Sequence, residues 1–192
     1  MVPAIQIAMP RFIVALFLAL TLAACGERSV VRSDPELDAL FAQLEQAADT
    51  QSAAPIEQAI WAHWAESGSP TVNILLERAA AAESDGDSDL ALGFLDQASD
   101  LAPDYAEPWN RRANLAYRSE DYTGAVSAIQ ETLKREPRHF GALAGLGLIY
   151  EELGQQRAAL EAFRAALAVH PHYTSALEGV RRLEQRIDGR DA

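Results

Sequence analysis

Apolar residues recur at helical spacing along most of this chain. Leu37, Leu40, Phe41 and Leu44 mark one face of a first helix, which Asp34 and Pro35 open as cap and first-turn proline. Ile56, Ile60 and Trp64 stand four apart with Trp61 beside them. They predict a second helix over about Pro55–Glu66, ended by Gly68. Six more are predicted over Thr71–Ser84, Asp87–Leu101, Ala106–Ser119, Tyr122–Arg135, Phe140–Leu153 and Gln155–Val169. A last helix, about Thr174–Ile187, carries Leu177, Val180, Leu183 and Ile187 on one stripe and charges elsewhere. No strand is predicted anywhere.

The pattern is periodic. Pro103, Pro137 and Pro171 stand 34 residues apart, and Ala91, Ala125 and Ala159 keep the same interval twelve residues ahead of them. Leu95, Ile129 and Phe163 follow each alanine by four; Leu75, Trp109 and Leu143 open the units. A fixed period of this length means stacked copies of one unit. Small residues let two antiparallel helices approach closely, large ones fill the gap between them, and proline ends the second helix of each pair.

Period and filling resemble the tetratricopeptide repeat, most closely in the last unit, with Leu143, Leu146, Gly147, Tyr150, Gly154, Ala159, Phe163, Ala166 and Pro171. The units run 72–105, 106–139 and 140–173. The middle one departs from the family at Arg112, where a large apolar residue is usual, and at Glu120, where glycine is usual. The resemblance implies an all-α fold, a right-handed α-solenoid of antiparallel helix hairpins. Segment 34–70 is read as an N-terminal capping hairpin, because stacked repeats must cover an otherwise bare apolar face. Glu45 and Glu57 stand there where small residues belong, and Trp64 where alanine is usual. Trp61 and Trp64 either fill the core of that cap or form an exposed docking site. Residues 174–187 resemble the C-terminal capping helix, and 188–192 form a tail.

The N-terminal end reads differently. Within residues 1–24 the one charge is Arg11, followed by an apolar run from Phe12 to Ala24 and then Cys25, the single cysteine. The run is short for a membrane span and reads as a signal peptide, for which Met9 is an alternative start. Leu22, Ala23, Ala24 and Cys25 resemble the lipobox of bacterial lipoproteins, which implies cleavage before Cys25 and lipidation of its sulfur with acyl chains such as palmitate. Residues 25–33 then form a short lipidated tether, reaching about 26 Å when stretched. Ordinary cleavage after Ala23 or an uncleaved anchor are the alternatives. Gly26 is not the aspartate that resembles an inner-membrane retention signal, so the expected place is the periplasmic face of the outer membrane.

Composition narrows the partners. Twenty-eight acidic residues against sixteen Lys and Arg leave a net charge of −12, which argues against nucleic acid and against adhesion of the protein surface to anionic lipid. No catalytic constellation is legible, and no cofactor or metal is expected. His170 and His172 flank Pro171 as turn residues or as a loose metal site. Gly141, Gly145 and Gly147 lack the lysine and the serine or threonine of a phosphate loop. Gly141 and Gly145 reflect either crowding between helices or a groove opened for a peptide.

In the resembled family, ligands lie along groove-facing places of each unit's first helix. Carried onto this chain, these include Asn110, Arg111, Asn114, Tyr117 and Arg118 in the second unit, Ala144 and Gly145 in the third, and Glu77, Ala80 and Glu83 in the first. The chaperone-tail pattern of lysines and asparagines is matched only at Asn110 and Asn114. A polar rung beside a small, apolar one can hold a short peptide; Arg111 and Arg118 can equally pair with Glu83, Glu151 or Glu152 across neighbouring helices. Arg78 and Arg112, where leucine is usual, lay their stems on the core or reach a ligand. The expected function is a membrane-anchored protein-interaction scaffold of the bacterial cell envelope, without catalysis of its own and favoured as a monomer. The alternative is an accessory subunit of an assembly machine for pili, outer-membrane barrels, cytochromes or cell wall, active only in complex.

Overall fold

The computed structural model describes residues 34–188. The expected leader, Cys25, the tether to Ser33 and the tail from residue 189 lie outside the described residues, as does the side chain of Ile187. Among the described residues the chain forms nine helices and no strand: α1 Pro35–Glu45, α2 Thr50–Ala65, α3 Pro70–Ser84, α4 Ser88–Leu101, α5 Glu107–Arg118, α6 Tyr122–Arg135, α7 Phe140–Glu152, α8 Gln156–Val169 and α9 Thr174–Asp188.

Local chemistry sets these ends. Asp34 accepts the N–H of Leu37 at 3.1 Å, Asp87 that of Leu90 at 3.0 Å and Asp121 that of Gly124 at 2.9 Å, each filling one orphan donor of a first turn. The α2 boundary corrects the sequence expectation. The second helix is predicted from about Pro55, yet α2 begins five residues earlier, where Asp49 and Ser52 form a reciprocal capping box. That box starts the helix even though an internal proline forfeits a helical hydrogen bond. The turns inside the three repeats all require a left-handed residue: Gly86 at φ 79°, Glu120 at 59° and Gly154 at 70°. Only the middle repeat meets this without glycine, and a side chain there costs about 1–2 kcal/mol.

Helices α3 and α4, α5 and α6, and α7 and α8 pair as antiparallel hairpins, and α9 closes on α8 and α7. Ala91, Ala125 and Ala159, the marks of the period, are fully buried. At the C-terminal end the Phe163 ring is buried between two glycines: a Cβ on Gly147 would come within 2.7 Å of it and one on Gly179 within 2.6 Å. Those glycines let α7 and α9 close on the ring from both sides.

The α1–α2 hairpin covers apolar surface, as a cap should, but that surface is the row of turns joining one repeat to the next. Its cluster of Leu37, Leu44, Ala53, Ile60 and Trp64 includes Phe140, with Val169 and Tyr173 packed against it, and no residue of α3 or α4. The contacts run in order along the array. The Tyr105 hydroxyl donates to the Trp64 carbonyl at 2.7 Å, at the first junction. Trp64 stacks on His139, while Arg138 reaches Asp38 at 2.7 Å and lies over the Phe41 ring, at the second. Glu57 meets His170 at 3.0 Å and His172 meets the Ala47 carbonyl at 2.8 Å, at the third. The hairpin is a strap folded back along one edge of the stack.

Candidate functional site

Helices α3 and α5, the first helices of two adjacent repeats, frame a cavity of about 420 Å³. Ala80 and Glu83 line it from α3; Glu107, Arg111, Asn114, Tyr117 and Arg118 line it from α5. The α5 residues share one face because three- and four-residue steps return to the same side of a helix.

Both arginines are held by neighbours. Arg111 donates to Glu107 at 3.2 Å and to the Leu76 carbonyl at 3.1 Å, bridging α5 to α3. Arg118 meets Glu83 across the two helices at 2.8 Å. That pair is solvated on the arginine side, and exposed pairs hold by only about 0–1 kcal/mol, so a ligand carboxylate can take Glu83's place. Asn114 is exposed between the arginines and offers a donor and an acceptor to a peptide backbone. Tyr117 lies beside Tyr122, and burial, aided by Glu152 and Glu151, pushes its phenol upward, so it stays a neutral donor.

Four of the seven expected partner-binding residues therefore line one cavity: Arg111, Asn114, Tyr117 and Arg118. The other three are placed elsewhere. Asn110 is buried and donates to Glu107 at 3.2 Å. Ala144 lies in the core with Ala159 and Phe163, and a Cβ on Gly145 would make ordinary contact with Ile129 at 3.7 Å. The rung opens between the first and second repeats instead of the second and third. In the third repeat Glu151 is taken up by Arg182 at 3.0 Å and Arg186 at 2.8 Å from α9.

The remaining candidates resolve as structure. A Cβ on Gly141 would come within 2.5 Å of the Trp61 ring, so this glycine admits the strap. Trp64 is buried and Trp61 half-buried in the seam, so the paired tryptophans serve as core. His170 and His172 are likewise engaged by the strap. Arg112 pairs with Asp96 and lies near Trp109, and Arg78 lies near the Phe94 ring.

A tetratricopeptide repeat family model matches residues 110–174. A TPR repeat-containing protein of Rhizobium etli is 40% identical over 153 residues, which span 80% of this chain and 75% of that protein. This chain belongs to the tetratricopeptide repeat family. Membership makes it a protein-interaction scaffold in kind. Among solved structures, the Sgt2 TPR domain from Aspergillus fumigatus superposes with a TM-score of 0.58 at 18% identity, covering 64% of this repeat protein and 83% of that chain. The first TPR of Spaghetti, bound to an HSP90 peptide, superposes at 0.57 and 18% identity, covering 62% and 94%.

Proposed function

We propose that this repeat protein is a lipid-anchored scaffold of the bacterial cell envelope that holds a peptide segment of a partner protein across the α3–α5 rung. The observation that carries the binding site is the cavity in which Asn114 stands exposed between two arginine–glutamate pairs. The partner's backbone bonds to Asn114, its carboxylate competes with Glu83 for Arg118, and an apolar side chain lies against Tyr117. The anchor reading rests on the sequence alone: an apolar run closed by Leu22, Ala23 and Ala24 before the single cysteine. Lipid at Cys25 would concentrate the rung at a membrane surface, with the outer membrane favoured.

Two experiments test the parts separately. Cys25→Ala should leave an uncut precursor or release a soluble form; normal processing with retention in a salt-washed membrane contradicts the anchor. Asn114→Ala with Arg118→Ala should weaken partner capture at least about tenfold, equivalent to roughly 1.4 kcal/mol, with melting close to wild type. Unchanged capture contradicts the rung.

A further inference from the structure

Among the described residues, the strap leaves the starting end of the stack open. Certain places in each unit turn back toward the unit before it. Arg111 donates to the Leu76 carbonyl, Arg112 pairs with Asp96 and Arg135 donates to the Pro103 carbonyl, each bond running from the second repeat to the first. Leu115 is buried in the first repeat's apolar cluster and Pro108 is fully buried; their third-repeat equivalents, Ile149 and Ala142, are buried in the second repeat's cluster. In the first repeat these places are Ile74, Glu77, Arg78, Ala81 and Leu101, and all five are exposed. Ile74 shows 49% of its surface and Leu101 60%. The inward-facing surface of a repeat is here turned to solvent.

We infer that this face of α3 binds the same face of a second copy of the chain, with the two α3 helices antiparallel about a two-fold axis. Self-complementarity selects that occupant. Glu77 and Arg78 each stand three or four residues from both Ile74 and Ala81, so the four form one stripe. In an antiparallel pair centred between Glu77 and Arg78, each Glu77 faces the partner's Arg78, and each Ile74 covers the partner's Ala81. An isologous contact makes every such pairing twice. Leu101 adds apolar area at the edge where α4 ends. One helix pair makes a smaller contact than the roughly 800 Å² per partner of a standard interface, the size range of weak, concentration-dependent association.

Sedimentation equilibrium of the full chain in density-matched detergent is the test. The wild type should shift from monomer to dimer with rising concentration, and Ile74→Glu with Leu101→Lys should raise the dissociation constant at least about tenfold without changing helicity, since both sites are exposed. Glu77→Arg alone should weaken the dimer, and adding Arg78→Glu should restore it, because exchanging the two charges preserves each pairing. A wild type that stays monomeric up to about 200 µM overturns the inference. So does association that persists in the Ile74 and Leu101 variant, or a charge exchange that fails to rescue.

Discussion

The Trp64 indole lies flat on the His139 imidazole, with ring centroids 4.2 Å apart and planes within 7° of parallel. His139 is fully buried, and its Nδ1 accepts the Ala142 N–H at 3.0 Å, capping α7. One residue thus starts the third repeat and supports the strap. Trp61 closes on the pair edge to face, with centroids 5.2 Å from Trp64 and 5.5 Å from His139, and Phe140 meets Trp61 edge to face at 5.1 Å. Trp64→Ala should therefore cost about 3–5 kcal/mol and detach the hairpin before the repeats melt. Limited proteolysis checks this through faster cutting at residues 66–69. A variant cut no faster than wild type would mean that the stack is not what holds the strap.

Acid should loosen the same seam. All four histidines of the chain belong to the strap or the turns beneath it. Burial drives the His170 pKa below its ordinary 6.5, outweighing Glu57 across the seam, with His172 adding to the lowering. His170 Nδ1 already accepts the His172 N–H at 3.3 Å, so a second ring proton has no place. A lowered histidine pKa means the unfolded chain binds more protons, so this contribution is intact above about 6.5 and is lost as pH falls below it. Strap protection measured by hydrogen exchange should fall between about pH 7 and pH 5, a window above ordinary carboxylate titration. His170→Gln should flatten that dependence; an equal slope in the variant rules His170 out as its source.

Gly179 sets two opposing effects against each other. Alanine raises helix propensity by about 1 kcal/mol over glycine. Its methyl, however, would sit 2.6 Å from a Phe163 ring already held by Gly147, and overpacking costs about 1–3 kcal/mol. Because the ring is fully buried with helices on both sides, the clash should win. Gly179→Ala should lower the melting temperature, while Gly93→Ala, where no atom lies within 4 Å, should not.

Much of the repeat array was legible because its determinants are local and periodic. The marks at Ala91, Ala125 and Ala159 place the hairpins, and the Tyr122–Arg135 prediction coincides with α6. Other features come from contacts that leave no periodic trace. Glu57 and His170 are 113 residues apart in sequence, so nothing near either announces the pair, although Glu57 already looked out of place for a small-residue position. Tyr105, His139 and Tyr173 share the last place of their units, and all three touch the strap. That run of polar-tipped rings was the available signal. The rung was displaced for a geometric reason: Asn110 and Ala144, equivalent in their units, both turn into the stack. Burial of that place depends on how neighbouring helices cross, which spacing within one helix does not encode.

The central claim is that the α3–α5 rung is where a partner is held. Photocrosslinking inside cells reads this most directly, with a photoreactive residue replacing Asn114 in the cavity or, separately, Glu161 on the exposed side of α8. A discrete partner should be captured from position 114, and adding Arg118→Ala should reduce that product at least about tenfold, while position 161 yields little. Equal capture from both positions, or capture from 161 alone, would place binding outside the rung and contradict the account.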